Sequence, residues 1–213
     1  MKRGNTNQNK FNNFLKKFWQ IVWKDESFKG WIISLIFIFI VIKLILFPLL
    51  NLVTGTALPL AIVESCSMYH SDNILGNFDN WWNRHYSKYE LLGIEKTEFE
   101  DFSFKKGFSK GDILFIMAKK PEKLEIGDII VFNANQQNPI IHRIIDIKQE
   151  DEEYIFSTMG DNNNGQISFE KNIRENQIVG KAVFRIAPSL GWIKLIFYEH
   201  LKSQSDKGFC EER

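Results

Sequence analysis

The chain has 213 residues, which is long enough for one membrane segment and one domain that buries its own core. Its formal net charge is only +1, so no overall field favours nucleic acid as a partner, and 25% charged and 14% aromatic residues are typical of a globular chain. Two cysteines outside any CxxC pair are too few for a disulfide framework, and four histidines without zinc-type spacing predict no metal site or other cofactor.

Residues 31–53 are predicted to form a membrane-spanning helix, preceded by a basic segment at residues 1–30. The apolar stretch exceeds the roughly 20 residues that cross a hydrocarbon core, and its length favours an uncleaved anchor over a removable signal peptide. Its Ile, Leu, Val and Phe residues outweigh the insertion penalty of Lys43, whose side chain we expect to reach toward one membrane face. Pro48 is predicted to kink or end the helix.

Basic residues predict the orientation of this anchor. Seven lysines and arginines precede the span and none follows it before Arg84. The positive-inside rule therefore predicts a cytoplasmic N-terminus and an extracytoplasmic chain from about residue 54 onward. Residues 11–24 mix aromatic residues with lysines, which fits either an interfacial helix on the inner membrane surface or a solvated basic tail.

Residues 54–200 are predicted to form a mainly β domain with antiparallel pairing. Short β-branched runs, separated by clusters of Gly, Asp, Asn and Pro, predict its strands. These runs are residues 61–65, 113–117, 129–132, 140–147, 154–158 and 178–186.

Two further segments lack strand alternation. Residues 71–106 carry Trp81, Trp82 and Tyr89, which fit either an insertion at the membrane–water boundary or a packed subdomain. Residues 190–201 are too short and too charged to span a bilayer, and they predict an amphipathic helix before a C-terminal tail at 201–213.

Ser67 and His142 are the candidate nucleophile and base. A serine becomes a good nucleophile only when a nearby base removes its proton. Ser67 follows the first predicted strand, just beyond the anchor, and His142 lies within the fourth. Neither residue alone identifies an enzyme, because serines at strand ends and histidines in apolar strands are common.

The order of several motifs is more specific. Over roughly residues 58–197 the chain resembles type I signal peptidases, which implies an antiparallel β-sheet catalytic domain of signal peptidase type behind one transmembrane helix. The matching motifs are SCSM at 65–68, GDIL at 111–114, GDIIVF at 127–132, PIIHR at 139–143, MGDNN at 159–163, and IVGKA at 178–182 with PSLG at 188–191.

The resemblance also implies a mechanism. Bacterial relatives carry a lysine where this chain has His142, so the chain resembles the archaeal and endoplasmic-reticulum type, and its composition favours an archaeal homologue. Ser67 would attack the scissile carbonyl while His142 takes its proton. The Ser67 backbone N–H and the Ser65 hydroxyl would hold the oxyanion, and Met68 would border the bound substrate.

The sequence does not decide which carboxylate is the partner of His142. Family members carry an Asp in the GDNN motif and a second one several residues later, but this chain keeps only the first, Asp161. Either Asp161 orients His142, or Glu170 replaces the missing Asp, or the site is a dyad; we favour Asp161. His70 is a rival base, and Cys66 is a conceivable thiol nucleophile.

The implied activity is that of a serine endopeptidase, which removes signal peptides from exported precursor proteins. Its partners would be these precursors, the lipid bilayer and the protein translocation machinery, and its location would be the cell membrane. Two alternatives stay open. One is a catalytically inactive, membrane-anchored binding or scaffold protein on the same fold, and the other is a related self-cleaving serine protease.

Overall fold

The computed structural model describes residues 5–71, 77–202 and 207–211. The chain divides into two compact units, residues 1–53 and residues 54–213.

The first unit contains helices α1 (Asn5–Lys24), α2 (Phe28–Val41) and α3 (Phe47–Thr54), with a π-helical turn at Ile42–Leu46 between the last two. Ser27 caps α2, because its hydroxyl accepts a hydrogen bond from the Gly30 backbone N–H at 3.1 Å. Phe28–Thr54 is continuous over 27 residues, and it is long and apolar enough to cross a membrane. The apolar helix begins three residues before the predicted span and ends one residue after it.

Pro48 lies inside this helix and does not end it. A proline lacks the backbone donor of its turn, and its ring crowds the carbonyl four residues earlier. The π-helical turn at Ile42–Leu46 directly precedes α3 and widens the backbone there. The helix therefore accommodates the proline through a local widening and continues to Thr54.

Helix α1 covers most of the basic segment, and it packs against α2. The Ser34 hydroxyl donates a hydrogen bond to the Val22 carbonyl at 2.6 Å, and the rings of Phe18 and Phe37 meet edge-on at 5.3 Å. An exposed apolar face remains on α1, formed by Phe11, Phe14, Leu15, Trp19 and Trp23. Contact of this face with lipid stays a prediction.

The second unit is built on one curled antiparallel sheet, as predicted. Its seven strands lie in the order β1-β2-β7-β3-β4-β5-β6. They are β1 (Leu60–Ile62), β2 (Ile113–Met117), β3 (Ile129–Phe132), β4 (Ile140–Glu150), β5 (Glu153–Met159), β6 (Ile173–Arg174) and β7 (Ile178–Ala187).

Strand β3 lies in the interior of the sheet and is buried on both faces. Ile129 and Val131 pack into one hydrophobic cluster, while Ile130 and Phe132 pack into another. Alternate side chains of a strand point to opposite faces, so burial on both sides requires an uninterrupted apolar run. This explains why the sequence of β3 shows no polar alternation.

The segment at residues 71–106 contains a packed subdomain. Helices α4 (Phe78–Glu90) and α5 (Lys96–Asp101) bury Trp81, Trp82 and Phe99 against sheet residues that include Ile145. Trp81 and Phe99 have no exposed surface, and Trp82 is 7% exposed. The tryptophan pair therefore belongs to a protein core rather than to a membrane boundary.

The C-terminal region differs from the single amphipathic helix that the sequence predicts. It forms a short α6 (Trp192–Leu195) followed by a 3₁₀ turn at Glu199–Leu201. The hydrogen-bond spacing changes from four residues to three after Ile196, which tightens the backbone and ends the α-helix.

Replacing Phe99 with Ala tests how firmly the subdomain is packed. The substitution removes a fully buried ring, so we expect the free energy of unfolding to fall by about 3–5 kcal/mol. The matched control is Leu91→Ala in the same segment, where the side chain is 89% exposed and the change should stay within about 0.5 kcal/mol. Denaturant unfolding of the detergent-solubilised chain measures both, and equal effects would contradict the packing.

Candidate active site

Ser67 lies in a tight turn just after β1. The Tyr69 backbone N–H donates to the Cys66 carbonyl at 3.1 Å, which closes the turn around the serine. The loop before β2 anchors the turn, since the Phe108 N–H donates to the Met68 carbonyl at 3.0 Å. The Ser67 hydroxyl oxygen lies 3.1 Å from that of Ser65, which is exposed.

His142 is held by a carboxylate, and that carboxylate is Glu170. The His142 Nδ1 and the Glu170 Oε1 are in direct hydrogen-bond contact. Glu170 is fully buried in the 3₁₀ turn at Ser168–Glu170, and its second oxygen accepts from the Ile167 N–H at 2.7 Å. A carboxylate at Nδ1 assigns the ring proton to that nitrogen, so Nε2 keeps its lone pair to accept a proton.

Gly160 lies close to His142 and to the turn that carries Ser67. A methyl group on Gly160 would stand 2.9 Å from His142 Nε2, 2.9 Å from the Ser67 carbonyl oxygen and 2.6 Å from Asn163 Nδ2. Gly160 therefore lies close to both His142 Nε2 and the turn that carries Ser67, and a side chain at this position would crowd both.

Asp161 does not contact His142. Its carboxylate is paired with Arg143, whose Nη2 lies 2.7 Å from Oδ2 and whose Nε lies 2.9 Å from Oδ1. Tyr89 donates its hydroxyl to Oδ1 at 2.9 Å, and His70 Nε2 lies 3.0 Å from Oδ2. The preference for Asp161 as the orienting carboxylate is thus corrected: both its oxygens are bound within a buried network on the other side of the strand.

Adjacent positions on β4 explain this division. Successive side chains of a strand point to opposite faces, so His142 and Arg143 reach different surroundings. The Arg143 guanidinium packs over the rings of Phe99 and Phe102, at 4.8 Å and 5.8 Å from their centroids. Glu170 contacts the neighbouring side chain on β4, His142.

Burial and the charge of Arg143 have the largest effects on the pKa of Asp161 in the buried network. Burial alone would raise the pKa of Asp161, but the Arg143 charge and the hydrogen bonds from His70 and Arg143 hold this pKa well below its usual range. Burial lowers the pKa of His70 despite the hydrogen bond to Asp161, so His70 is neutral and donates its Nε2 proton. Burial, reinforced by Asp161, raises the pKa of Tyr89 well above its usual value.

A cleft of about 880 Å³ opens onto Ser67 and His142. Its walls include β1 and the first residues of β4. Among the described residues, β1 pairs only with β2, and Ile140–His142 pair only with β3, because pairing with β5 starts at Arg143. Two strand edges with free backbone groups therefore border the cleft.

The remaining predicted residues divide between the cleft and the interior. Ser65 lines the cleft, but Met68 is 1% exposed within a hydrophobic cluster and does not border it. His70 stacks on Trp81 at 3.6 Å and contacts Asp161, so it is not placed as a base for Ser67. Cys66 is bonded to Cys210 and offers no thiol.

Sequence reasoning missed the support from helix α4. Lys88 Nζ donates to the backbone carbonyls of Asp161 and Asn163, the latter at 2.9 Å, and Tyr89 adds the hydroxyl contact to Asp161. No local pattern indicates these contacts, since 73 residues separate Lys88 from Asp161. Among the described residues, no group of three or more His, Cys, Asp or Glu side chains is arranged to hold a metal ion.

Part of this chain is similar in sequence to known proteins. No protein-family model matches it. The signal peptidase complex catalytic subunit sec11 of Neurospora crassa is 30% identical over 105 residues, which cover 46% of this chain and 60% of that protein. Human SEC11C is 30% identical over 107 residues, covering 47% and 55%, and Scheffersomyces stipitis SEC11 is 26% identical over 105 residues, covering 46% and 63%.

About half of the chain is thus similar in sequence to signal peptidase catalytic subunits. This confirms the resemblance that the ordered motifs predict. The match spans less than two thirds of each of these signal peptidase subunits, so their activity is carried to this chain only as a proposal.

Replacing Gly160 with Ala tests how closely His142 and the turn that carries Ser67 are packed around this glycine. The new methyl would displace Nε2, Ser67 or both, so we expect Ser67 to react with a serine-directed fluorophosphonate about tenfold to a hundredfold more slowly. Gly165→Ala is the matched control in the same loop, because a methyl there meets nothing within 4 Å. Equal labelling of both variants would contradict the geometry.

His70 gives the second unit a pH-dependent stability. Its folded-state pKa is lowered, so the unfolded chain binds a proton more readily, and stability falls as the pH drops below about 6.5. The ionised groups facing it are Asp161 and Arg143, with His85 nearby. His70→Gln keeps a donor toward Asp161 and should flatten the fall in melting temperature between about pH 7 and about pH 5. The exposed His200→Gln is the control, and an unchanged slope in His70→Gln would contradict the assignment.

Proposed function

We propose that this protein is a membrane-anchored serine endopeptidase that removes signal peptides from exported precursors. One observation carries the proposal: the cleft holds Ser67 in a turn beside His142, whose Nδ1 is bound by the buried Glu170. A nucleophile, a base and a group that fixes the base are the parts that acyl transfer requires.

The roles follow from the hydrogen-bond directions. Glu170 keeps the Nδ1 proton in place, so His142 Nε2 accepts the proton of Ser67 as the hydroxyl attacks the scissile carbonyl. The imidazolium then gives this proton to the leaving amine, and a water molecule releases the acyl group from Ser67. The Ser67 N–H and the Ser65 hydroxyl are the proposed donors to the oxyanion.

The substrate is proposed to bind as an extended strand. The free edges of β1 and of Ile140–His142 border the cleft, and an extended peptide can hydrogen-bond with such edges. The apolar lining from Ile62, Val131 and Ile141 suits small side chains near the cleaved bond. The proposed substrate class is therefore the C-terminal region of a signal peptide.

Two features support an extracytoplasmic catalytic domain. The apolar helix Phe28–Thr54 follows a basic segment, which favours a cytoplasmic N-terminus. The Cys66–Cys210 disulfide suits an oxidising compartment. Two structural facts weaken the inactive-scaffold alternative: Glu170 supplies a carboxylate partner for His142, and the Cys66–Cys210 disulfide accounts for Cys66.

The direct test is cleavage of a purified signal-peptide-bearing precursor by the full chain in detergent micelles. We expect Ser67→Ala and His142→Ala to lower kcat by at least about a thousandfold. Glu170→Gln should lower it by about a hundredfold to ten-thousandfold, because the amide presents an N–H to Nδ1 and so forces the proton onto Nε2.

Asp161→Asn is the matched carboxylate control. It weakens a buried ion pair with Arg143, so we expect a loss of stability of about 3–5 kcal/mol rather than a specific loss of kcat in the molecules that remain folded. Melting temperatures of all variants separate the two effects. Normal cleavage by Ser67→Ala would refute the proposed function.

A further inference from the structure

The disulfide joins the C-terminus to the nucleophile turn. Cys66 stands between Ser65 and Ser67, and its partner Cys210 lies 144 residues away in sequence. These are the only two cysteines of the chain, so the covalent link has a single possible position within one molecule. The cross-link is therefore made at the residue that precedes the proposed nucleophile.

The segment that carries Cys210, residues 207–211, is here termed the C-terminal strap. It lies against the second unit through noncovalent contacts as well. The Gly208 N–H donates to Glu199 Oε1 at 2.8 Å, and Lys110 Nζ donates to the Gly208 carbonyl at 3.1 Å. The Phe209 ring lies 5.1 Å from that of Trp192. The strap thus has a defined seat from which the disulfide reaches Cys66.

Asn162 links the strap, the nucleophile turn and the loop beside His142. Its side-chain amide donates to the Cys66 carbonyl at 3.0 Å and to the Glu211 carbonyl at 2.9 Å. Its backbone N–H donates to the Ser67 carbonyl at 2.7 Å. Asn162 has no exposed surface, so its donors depend on these protein partners. The buried Asn162 amide also holds the turn, and without the strap it would lose the Glu211 carbonyl as a hydrogen-bond acceptor.

We propose that the Cys66–Cys210 disulfide is a positioning device for Ser67, and that reduction of this bond switches the peptidase to a slow state. The proposal rests on the proposed function. A dithiol reductant would transfer two electrons and two protons to the disulfide, which yields the Cys66 and Cys210 thiols and converts the dithiol to its own disulfide. Cys66 and Cys210 act through Ser67 and do not touch the substrate.

Ser67 must present both its hydroxyl to His142 and its backbone N–H to the oxyanion, and misplacement by about 1 Å can lower a rate by about a hundredfold. The turn is fixed by one covalent bond at Cys66 and by hydrogen bonds to Cys66 and Ser67 from Asn162. Cleaving the bond releases the covalent support while leaving the cleft walls β1 and β4 intact.

The experiment compares oxidised wild type, Cys66→Ser, Cys210→Ser and the double variant, as full chains in detergent micelles. We expect each variant to lower kcat by about tenfold to a hundredfold with little change in KM, and the double variant to be no slower than the singles. Dithiothreitol should slow the wild type by the same factor without affecting the double variant, and re-oxidation should restore the rate. Fluorophosphonate labelling of Ser67 should slow in parallel.

Several outcomes separate the possibilities. If the variants and the reduced protein cleave at the wild-type kcat, or lose activity only near a lowered melting temperature, the disulfide is merely structural and the inference is overturned. If Cys66→Ser is slow but Cys210→Ser is not, the effect belongs to the local side chain and the inference is again overturned. If oxidised wild type does not cleave, or Ser67→Ala cleaves normally, the proposed function itself fails.

Discussion

Strand β4 carries a histidine and an arginine side by side, and each is buried against its own carboxylate. His142 contacts Glu170 on one face, and Arg143 pairs with Asp161 on the other. Removing one partner from a buried pair leaves an uncompensated group, which typically destabilises a protein by about 3–5 kcal/mol. Each carboxylate is therefore needed by its own partner on β4. The rest of the site is arranged around these two separate pairs.

The arginine side explains why a packed subdomain lies next to the site. Helix α4 brings Tyr89 and Lys88 onto Asp161 and the loop that follows it, and Asn162 of that loop holds the Ser67 turn. The contacts therefore run from a tryptophan-rich core to the proposed nucleophile. Asp161, the carboxylate of the GDNN motif, belongs to these supporting contacts. The partner of His142 is instead Glu170, which lies in a later 3₁₀ turn.

The strands could be predicted because their signal is local. Apolar runs bounded by turn residues give six of the seven strands, and only the two-residue β6 lacks enough length to be detected. Ser67 and His142 could be selected from motif order. The partner of His142 could not, because its choice depends on which face of β4 each side chain occupies and on how the chain turns between Asp161 and Glu170.

Three other features could not be predicted from the sequence, because they too depend on how the chain folds. Met68 follows Ser67 in sequence, yet the turn directs its side chain into the core. A tryptophan such as Trp81 fits both a membrane boundary and a protein core, and only its packing on the sheet distinguishes these two settings. The partner of Cys66 is 144 residues away, a separation that no local pattern encodes.

The assignment of Glu170 to His142 is best tested by nuclear magnetic resonance of the histidine-labelled chain in micelles. The Nδ1 proton of His142 should be protected from exchange and shifted downfield, and it is identified by its absence from His142→Ala. We predict that Glu170→Gln removes this resonance while folded Asp161→Asn retains it. Retention in Glu170→Gln together with loss in Asp161→Asn would contradict the account.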